Sequence, residues 1–320
     1  MPPAGSAGRR WRKTPAAFTP ERKRKMTAVT VLTPAYNRVH LLPRLYDSLV
    51  RQTFRDFVWL VVDDGSTDGT EAYMRDIQGG APFAIRYIKK PNGGRHTAVN
   101  LGVSRIDTEL TFIVDSDDTL TPDAVEQIVA ARDRYCGQEG LSGFCFLKGC
   151  EDGTVLDGLF PQPESIGNYI RDRLNKGMWG DKAEVYYTRV LREFPFPEFP
   201  GERFISEDVA WIPMAARYDV VQINRVIYLC DYLEDGLTKN GRAMKMSSPR
   251  GGAVRARQLM DPHCCLKIRM KGALLYDVYT GMQGVGFAQT IQNAPGRLLA
   301  AVMYPASLYL RSKWQRDIRH

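Results

Sequence analysis

Residues 115–118 carry the residue types best suited to binding a metal ion in this sequence. They read Asp-Ser-Asp-Asp and follow LTFIV, an apolar run over 110–114 that is typical of a buried strand. Carboxylates one residue apart at a strand end can turn toward one point, and they suit a hard divalent cation that keeps water and binds phosphate oxygens. Such a cation would act as a Lewis acid on a diphosphate leaving group. Taken alone, this D-x-D pattern is more often an ordinary acidic turn.

A second acidic turn follows the apolar run of residues 57–62. Asp63 and Asp64 close that run, and Ser66 or Asp68 could cap the helix that comes next. Capping alone would explain the turn. However, carboxylates at two neighbouring strand ends repel one another unless a cation or ligand donors lie between them. The two turns together therefore favour a ligand site.

Residues 92–96, Asn-Gly-Gly-Arg-His, form a glycine-containing turn before a predicted helix. A helix N-terminus beside Arg95 and His96 would suit a diphosphate, because backbone N–H groups and cationic side chains both favour phosphate oxygens. Taken alone, His96 could instead be a structural histidine held by hydrogen bonds.

The elements between these turns must bring them together. Unbroken apolar strand patterns at 28–33, 57–64, 84–88 and 110–115 alternate with helical patterns. Repeated strand–helix units of this kind predict an α/β fold with a mostly parallel sheet and helices on both faces. Ligands of such sheets bind beyond the carboxyl ends of the strands. The polar turns lie at those ends.

Five segments, in this order and spacing, resemble the inverting family 2 glycosyltransferases of the GT-A fold, which use nucleotide-diphosphate sugars. They are VTVLTPAYNR (29–38), VVDDGSTDGT (61–70), PNGGRHTAVNLGV (91–103), FIVDSDDTL (112–120) and ISEDVAW (205–211). The resemblance covers about residues 28–230. It implies the GT-A sheet, here followed by amphipathic C-terminal helices.

The resemblance also implies a role for each matching residue. The nucleotide and donor sugar would be bound by Thr33, Pro34, Tyr36, Arg38, Asp63, Asp64, Gly94, Arg95, His96 and Asp115. Within this set, Tyr36 would lie on the face of the base, and Arg95 with His96 would face the diphosphate. Asp117 would bind Mn²⁺ or Mg²⁺, with Asp118 as an accessory ligand. Asp208 would be the general base, and Glu207 could substitute for it or support it.

The activity implied is a metal-dependent, inverting transfer of a sugar to a hydroxyl of a glycan or lipid-linked acceptor in polysaccharide biosynthesis. UDP is favoured as the nucleotide only because members of this family commonly use it. Trp179 and Asp181 could bind the acceptor sugar, or could equally be a core tryptophan and a turn aspartate. A loop containing Gly236 and Thr238 could close over the donor.

Other function classes are less compatible with the residues. A catalytically silent module that binds sugar nucleotides or glycans would be expected to lack a metal or base carboxylate, and Asp117 and Asp208 are both present. A nucleotidyltransferase of related topology would have a G-x-G-T-R loop where residues 33–38 read Thr-Pro-Ala-Tyr-Asn-Arg. A dehydrogenase would show G-x-G-x-x-G after the first strand, which is absent.

The charge distribution argues against a nucleic-acid groove. The 320 residues have a net charge of +8, but residues 1–25 carry +7, residues 26–240 carry −9 and residues 241–320 carry +10. The segment with the motifs is therefore acidic, whereas a nucleic-acid site would be basic. No run of apolar residues is long enough to predict a membrane-spanning helix. Six cysteines without metal-binding spacing are typical of free thiols in a reducing cytosol.

The predicted organisation has four parts. Residues 1–25 form a disordered basic tail, and translation could start at Met1 or Met26. Residues 26–235 form the catalytic domain, with a nucleotide-binding half (26–120) and an acceptor half (121–235). Residues 236–253 form a mobile loop or linker. Residues 254–320 form basic amphipathic helices, which could lie on the inner face of a membrane from the cytoplasm, pack on the catalytic domain or form an oligomer contact.

Overall fold

The computed structural model describes residues 27–178, 180–230 and 241–319. The predicted tail 1–25, Trp179, Gly236 and Thr238 lie outside the described residues, and so do the predictions made for them.

The first half of the chain forms a parallel sheet. Its elements are β1 Val29–Ala35, α1 Leu42–Val50, β2 Phe57–Asp63, α2 Thr70–Gln78, β3 Ala84–Lys89, α3 Arg95–Arg105 and β4 Leu110–Ile113. Strand β1 lies between β2 and β4, and β3 pairs with the outer edge of β2, all in parallel register. Every residue of β1 is buried. Because successive side chains point to opposite faces, both faces of this strand are covered.

The second half extends the sheet with strands of both directions. Its elements are β5 Thr119–Leu120, α4 Ala124–Arg134, β6 Leu141–Gly149, β7 Glu164–Gly167, a π-helix at Tyr169–Asn175, β8 Lys182–Tyr187, α5 Thr188–Glu193, α6 Asp208–Ala215 and β9 Asp219–Leu229. Strand β8 is antiparallel to β4 and β6, while β6 and β9 are parallel. The strand order is β3-β2-β1-β4-β8-β6-β9-β5, with β7 paired to β9. The predicted α/β architecture is confirmed.

Helix α3 is fixed against the sheet by one close approach. A Cβ atom on Gly102 would lie 2.4 Å from Cδ1 of Leu32 in β1, so a larger residue would require Leu32 or the helix to shift. Helix α3 packs against both β1 and β2. Beneath it, the indole N–H of Trp59 donates to the Thr33 hydroxyl at 3.1 Å.

The C-terminal part is helical. It comprises α7 Gly241–Met246, α8 Pro249–Gln258, α9 Leu266–Met282, α10 Phe287–Asn293 and α11 Arg297–Arg319. Buried side chains of α8, α9 and α11 pack together, among them Ala256, Ala273, Tyr276 and Ala300. Helix α8 also packs against α6 of the preceding domain.

The prediction of a loop or linker over 236–253 is wrong for the described residues of that stretch. Helix α7 lies within it, and α8 begins there with Pro249 at its first position, where the missing N–H costs nothing. The next two N–H groups, of Arg250 and Gly251, donate to the Glu202 carboxylate at 2.8 and 2.9 Å. The polar, glycine-containing composition suggested a loop. The cap that stabilises the helix comes from Glu202, which is distant in the sequence, so local composition gives no sign of it.

The outward face of α11 carries exposed apolar side chains. Leu298 is 78% exposed and Tyr309 is 67% exposed, and Val302 lies between them on the same face. Among the helices described, none combines the length and the hydropathy needed to cross a bilayer.

Candidate functional site

A cleft of about 730 Å³ opens at the carboxyl ends of the central strands. It is bordered by the ends of β1, β2 and β4, by β6 and β8, and by the start of α6. Nine residues that the sequence singles out line it together: Tyr36, Asp64, Gly94, Arg95, His96, Asp115, Asp181, Glu207 and Asp208.

The other predicted residues that the structure describes are not among those lining the cleft: Thr33, Pro34, Arg38, Asp63, Asp117 and Asp118. Thr33 and Pro34 are buried within β1, and Thr33 is engaged by Trp59 as described above. The carboxylate of Asp63 accepts hydrogen bonds from the Ser66 N–H and the Tyr87 hydroxyl. Burial and this contact raise the pKa of Tyr87, so its hydroxyl stays a donor. Thr33, Pro34 and Asp63 therefore shape the site from beneath and do not line its surface.

Asp64 is held by the turn that follows β3. Its carboxylate accepts from the Lys90 ammonium at 2.7 Å and from the backbone N–H groups of Gly93 and Gly94 at 2.9 and 2.7 Å. The amide of Asn92 donates to it at 3.2 Å. The backbone donors that the sequence assigned to a diphosphate are thus occupied by a carboxylate. Asp64 positions the start of α3.

Arg95 joins the two sides of the cleft. Its Nε donates to Asp115 at the end of β4 at 2.8 Å, and its Nη1 donates to Glu207 before α6 at 2.6 Å. Although burial alone would raise the pKa of Asp115, Arg95, Lys148 and the nearby Arg38 lower it, and Asp115 is ionised. The Arg95 guanidinium thus bridges two carboxylates at the cleft.

His96 has the opposite character. Its side chain is 3% exposed, and neither ring nitrogen has a hydrogen-bond partner among the described residues. Burial lowers its pKa, so the imidazole is neutral and offers one donor and one acceptor. Because unpaired buried polar groups are costly, these nitrogens are suited to a ligand entering the cleft.

The loop 115–118 concentrates negative charge. Burial and the charges of Asp115 and Asp117 raise the pKa of Asp118 to about 7, against a hydrogen bond that lowers it. That bond comes from the Tyr228 hydroxyl, which donates to Asp118 at 2.6 Å. The described residues contain no group of three or more His, Cys, Asp or Glu side chains placed to hold a metal. With Asp115 engaged by Arg95, the loop has two further carboxylates, Asp117 and Asp118, a donor type that would suit a hard cation whose other ligands are water and phosphate.

The two candidate bases have different partners. Asp208, in the first turn of α6, is 7% exposed, and its oxygens lie 2.8 and 2.7 Å from Nε of Arg255. Glu207 is exposed and contacts Arg95. Both side chains border the cleft, so its geometry is compatible with either one receiving a proton.

Sequence reasoning missed several cleft residues. Lys148 lies on β6 with its ammonium 4.2 Å from the centroid of the Tyr228 ring. Burial opposes its charge, but Asp115 and Glu184 raise its pKa. Arg173, from the π-helix, pairs with Glu184 at 2.7 Å. A lysine within the apolar strand pattern FCFLKG was the one sequence signal available for Lys148.

Part of the chain is similar in sequence to known glycosyltransferases. Residues 30–137 fit the family model of glycosyl transferase family 2. The chondroitin synthase of Pasteurella multocida is 38% identical over 102 residues, which cover 32% of this chain and 10% of that protein. The chain thus matches only about a tenth of that relative's length.

Two solved structures share the fold over most of their length. S. aureus TarS 1-349 in complex with UDP-GlcNAc has a TM-score of 0.61 at 18% identity, covering 89% of this chain and 88% of that one. The mannosyltransferase PcManGT from Pyrobaculum calidifontis, in complex with GDP-Man and Mn²⁺, has a TM-score of 0.51 at 17% identity, covering 90% and 82%. The GT-A fold and the resemblance to family 2 glycosyltransferases are confirmed.

Proposed function

We propose that this chain transfers a sugar from a nucleotide-diphosphate donor to an acceptor hydroxyl. Its residues 30–137 match the family model of glycosyl transferase family 2. The observation that carries the proposal is the single cleft shared by the strand-end carboxylates Asp64 and Asp115 and the Glu207–Asp208 pair. A donor bound over the strand ends would present its anomeric carbon toward the start of α6. One site can therefore hold the leaving group and the attacking hydroxyl.

The donor side offers complementary groups. The Tyr36 side chain is 46% exposed at the cleft, where it can lie on the face of a base. The neutral imidazole of His96 can donate to a phosphate oxygen. Asp117 and Asp118 would hold Mn²⁺ or Mg²⁺, which when bound would neutralise the charge that develops on the departing diphosphate.

On the acceptor side, we assign the base to Asp208. Arg255 contacts both of its oxygens, but within the described part of the chain Oδ1 receives a single donor, Nε, and keeps a lone pair for the acceptor O–H. Deprotonation there would direct attack on the face of the sugar opposite to the leaving group, and one such step inverts the anomeric carbon. Glu207, held by Arg95, would support this step or replace Asp208 in it.

The comparisons and the cleft support a choice of substrate classes. UDP is the favoured nucleotide because the UDP-GlcNAc complex of TarS is among the similar structures, with the GDP-Man complex as the competing precedent. The acceptor would be a glycan or a lipid-linked glycan, entering beside Asp181.

A peripheral membrane contact through α11 belongs to the same proposal. Leu298, Val302 and Tyr309 form an exposed apolar face, and the basic residues Lys313 and Arg316 follow it on the same helix. Apolar and basic residues together suit an anionic membrane surface at the cytoplasmic side. Flotation with vesicles containing anionic lipid should retain the protein, and Leu298→Asp with Val302→Asp should release it. Equal flotation of both proteins would remove α11 from that role.

A donor panel tests the activity. The protein is incubated with UDP- and GDP-linked sugars, with Mn²⁺, Mg²⁺ or EDTA, and nucleotide release and thermal shift are recorded. We expect metal-dependent release with one donor, and a product whose anomeric configuration is inverted by NMR. A thermal shift without turnover, with or without added glycan acceptors, would instead support the silent binding module. Absence of both signals with every donor would refute a sugar-nucleotide site.

A further inference from the structure

We propose that Arg255 is a positioning residue for Asp208, and that helix α8 of the C-terminal part is thereby a component of the active site. The inference rests on the proposed function, because it gives Arg255 a purpose only if Asp208 acts on an acceptor. Arg255 and helix α8 lie outside residues 30–137, which match the family 2 model, so the inference gives the C-terminal part a role of its own.

The contact between the two side chains is close and largely shielded from water. Nε of Arg255 lies 2.8 Å from Oδ1 and 2.7 Å from Oδ2 of Asp208, and Nη2 lies 2.6 Å from Oδ2. A carboxylate that is 7% exposed needs such a partner, because burying an unpaired charge is costly. Lys271 and Tyr169 are also close enough to interact electrostatically with Asp208. Arg255 contacts the Asp208 carboxylate directly.

Helix α8 holds the whole segment that precedes and begins α6. At its start, Glu202 accepts from the N–H groups of Arg250 and Gly251, and the Phe204 N–H donates to the Ser248 hydroxyl at 3.3 Å. At its end, the Gln258 amide donates to the Val209 carbonyl at 2.8 Å. These contacts bracket Asp208 on both sides. The Arg255 contact is therefore built into an interface that fixes residues 202–209.

The shape of the guanidinium explains what this contact can do. Arginine presents several N–H donors in one plane, so it fixes the orientation of a carboxylate, whereas lysine supplies a point charge. A fixed carboxylate can keep its remaining lone pair of Oδ1 aimed into the cleft. Without Arg255, Asp208 would lose the contact that fixes its orientation. The expected loss therefore falls on the chemical step and leaves donor binding largely unchanged.

The test compares Arg255→Ala with Arg257→Ala, an exposed arginine two residues along the same helix. We expect Arg255→Ala to lower kcat by about 10- to 100-fold with the donor KM within about threefold, as for an interaction made only in the transition state. Arg257→Ala should match the wild type. Added guanidinium ion, at concentrations that leave the melting temperature unchanged, should restore part of the kcat of Arg255→Ala. It should not restore Asp208→Asn combined with Arg255→Ala.

The outcomes separate the inference from the proposed function. A wild type that is inactive with every donor and acceptor tried would refute the function, and with it the role of Arg255. An active wild type whose Arg255→Ala variant equals Arg257→Ala would refute the inference alone. A loss of kcat without guanidinium rescue would also overturn it, since a merely structural role predicts that result. Should Arg255→Ala fail to fold, Arg255→Lys replaces it, with the same kcat-specific loss expected and an unchanged kcat counting against the proposal.

Discussion

The hydroxyl of Tyr228 supports the loop that ends β4. It donates to Oδ2 of Asp118 at 2.6 Å and accepts the backbone N–H of Asp115 at 3.0 Å. Burial and these neighbouring carboxylates raise the pKa of Tyr228 well above its usual value, so it remains a phenol. A residue of β9, in the second half of the chain, thus orients the carboxylates that the first half contributes to the proposed metal site.

Tyr228→Phe should weaken the response to metal. Removing the hydroxyl frees Asp118 to rotate and leaves the Asp115 N–H without its acceptor, and loss of such a supporting bond costs about 10- to 100-fold in metal affinity. The apparent activation constant for Mn²⁺ in a donor-turnover assay would measure this. Tyr309→Phe, at an exposed tyrosine of α11, is the matched control and should behave as wild type. An unchanged Mn²⁺ constant in Tyr228→Phe would separate Tyr228 from metal binding.

Substitution of the two candidate bases should have unequal effects. Asp208→Asn should reduce kcat by about 10²- to 10⁴-fold, the usual contribution of a general base. Glu207→Gln keeps the shape of the side chain and weakens one charged contact with Arg95, so its loss should be less than about tenfold. Single-turnover rates with saturating donor compare the two variants directly. The reverse order of severity would assign the base to Glu207.

The sheet was predictable from sequence because its central strands are apolar without interruption. β1 and β2 are buried almost throughout. A strand that is covered on both faces needs apolar residues at nearly every position, and this gives the uninterrupted pattern. The cleft followed from the same pattern, since polar residues interrupt the apolar runs at the strand ends. Nine of the candidate site residues accordingly meet in one place.

The partners of those residues were not predictable in the same way. The N–H groups of Gly93 and Gly94 bind Asp64, which is almost 30 residues earlier in the chain and is brought near by the β2–β3 pairing. Arg255 lies just past the predicted loop, but its helix begins earlier than predicted, at Pro249, where Glu202 caps it. Tyr228 looked like another apolar position of a buried strand. Each case depends on a contact between distant segments that local composition does not encode.

Gly94 should tolerate no side chain. Its φ is +96°, in the left-handed region, and a Cβ atom would lie 2.2 Å from the carbonyl oxygen of Arg203. Gly94→Ala should therefore destabilise the fold by about 1–3 kcal/mol and displace the segment before α6. Gly79→Ala is the control, because a Cβ there meets nothing within 4 Å and the φ of −80° suits alanine. Equal midpoints of urea unfolding for the two variants would contradict the close approach.

Asp277 should make the folded state less stable as the pH rises. It is 1% exposed in α9, neither carboxylate oxygen has a hydrogen-bond partner among the described residues, and burial raises its pKa to about 7. An unfolded chain ionises aspartate near pH 3.9, roughly its model-peptide value. From that pH up to about 7, the folded state keeps a proton that the unfolded state has released, so the cost of burial grows across this window and is complete above it. Asp277→Asn removes the ionisation and should raise the melting temperature by at least about 2 °C at pH 8. The gain should be smaller at pH 5, where the wild-type carboxyl is mostly neutral, and an equal difference at both pH values would show that Asp277 does not titrate in this window.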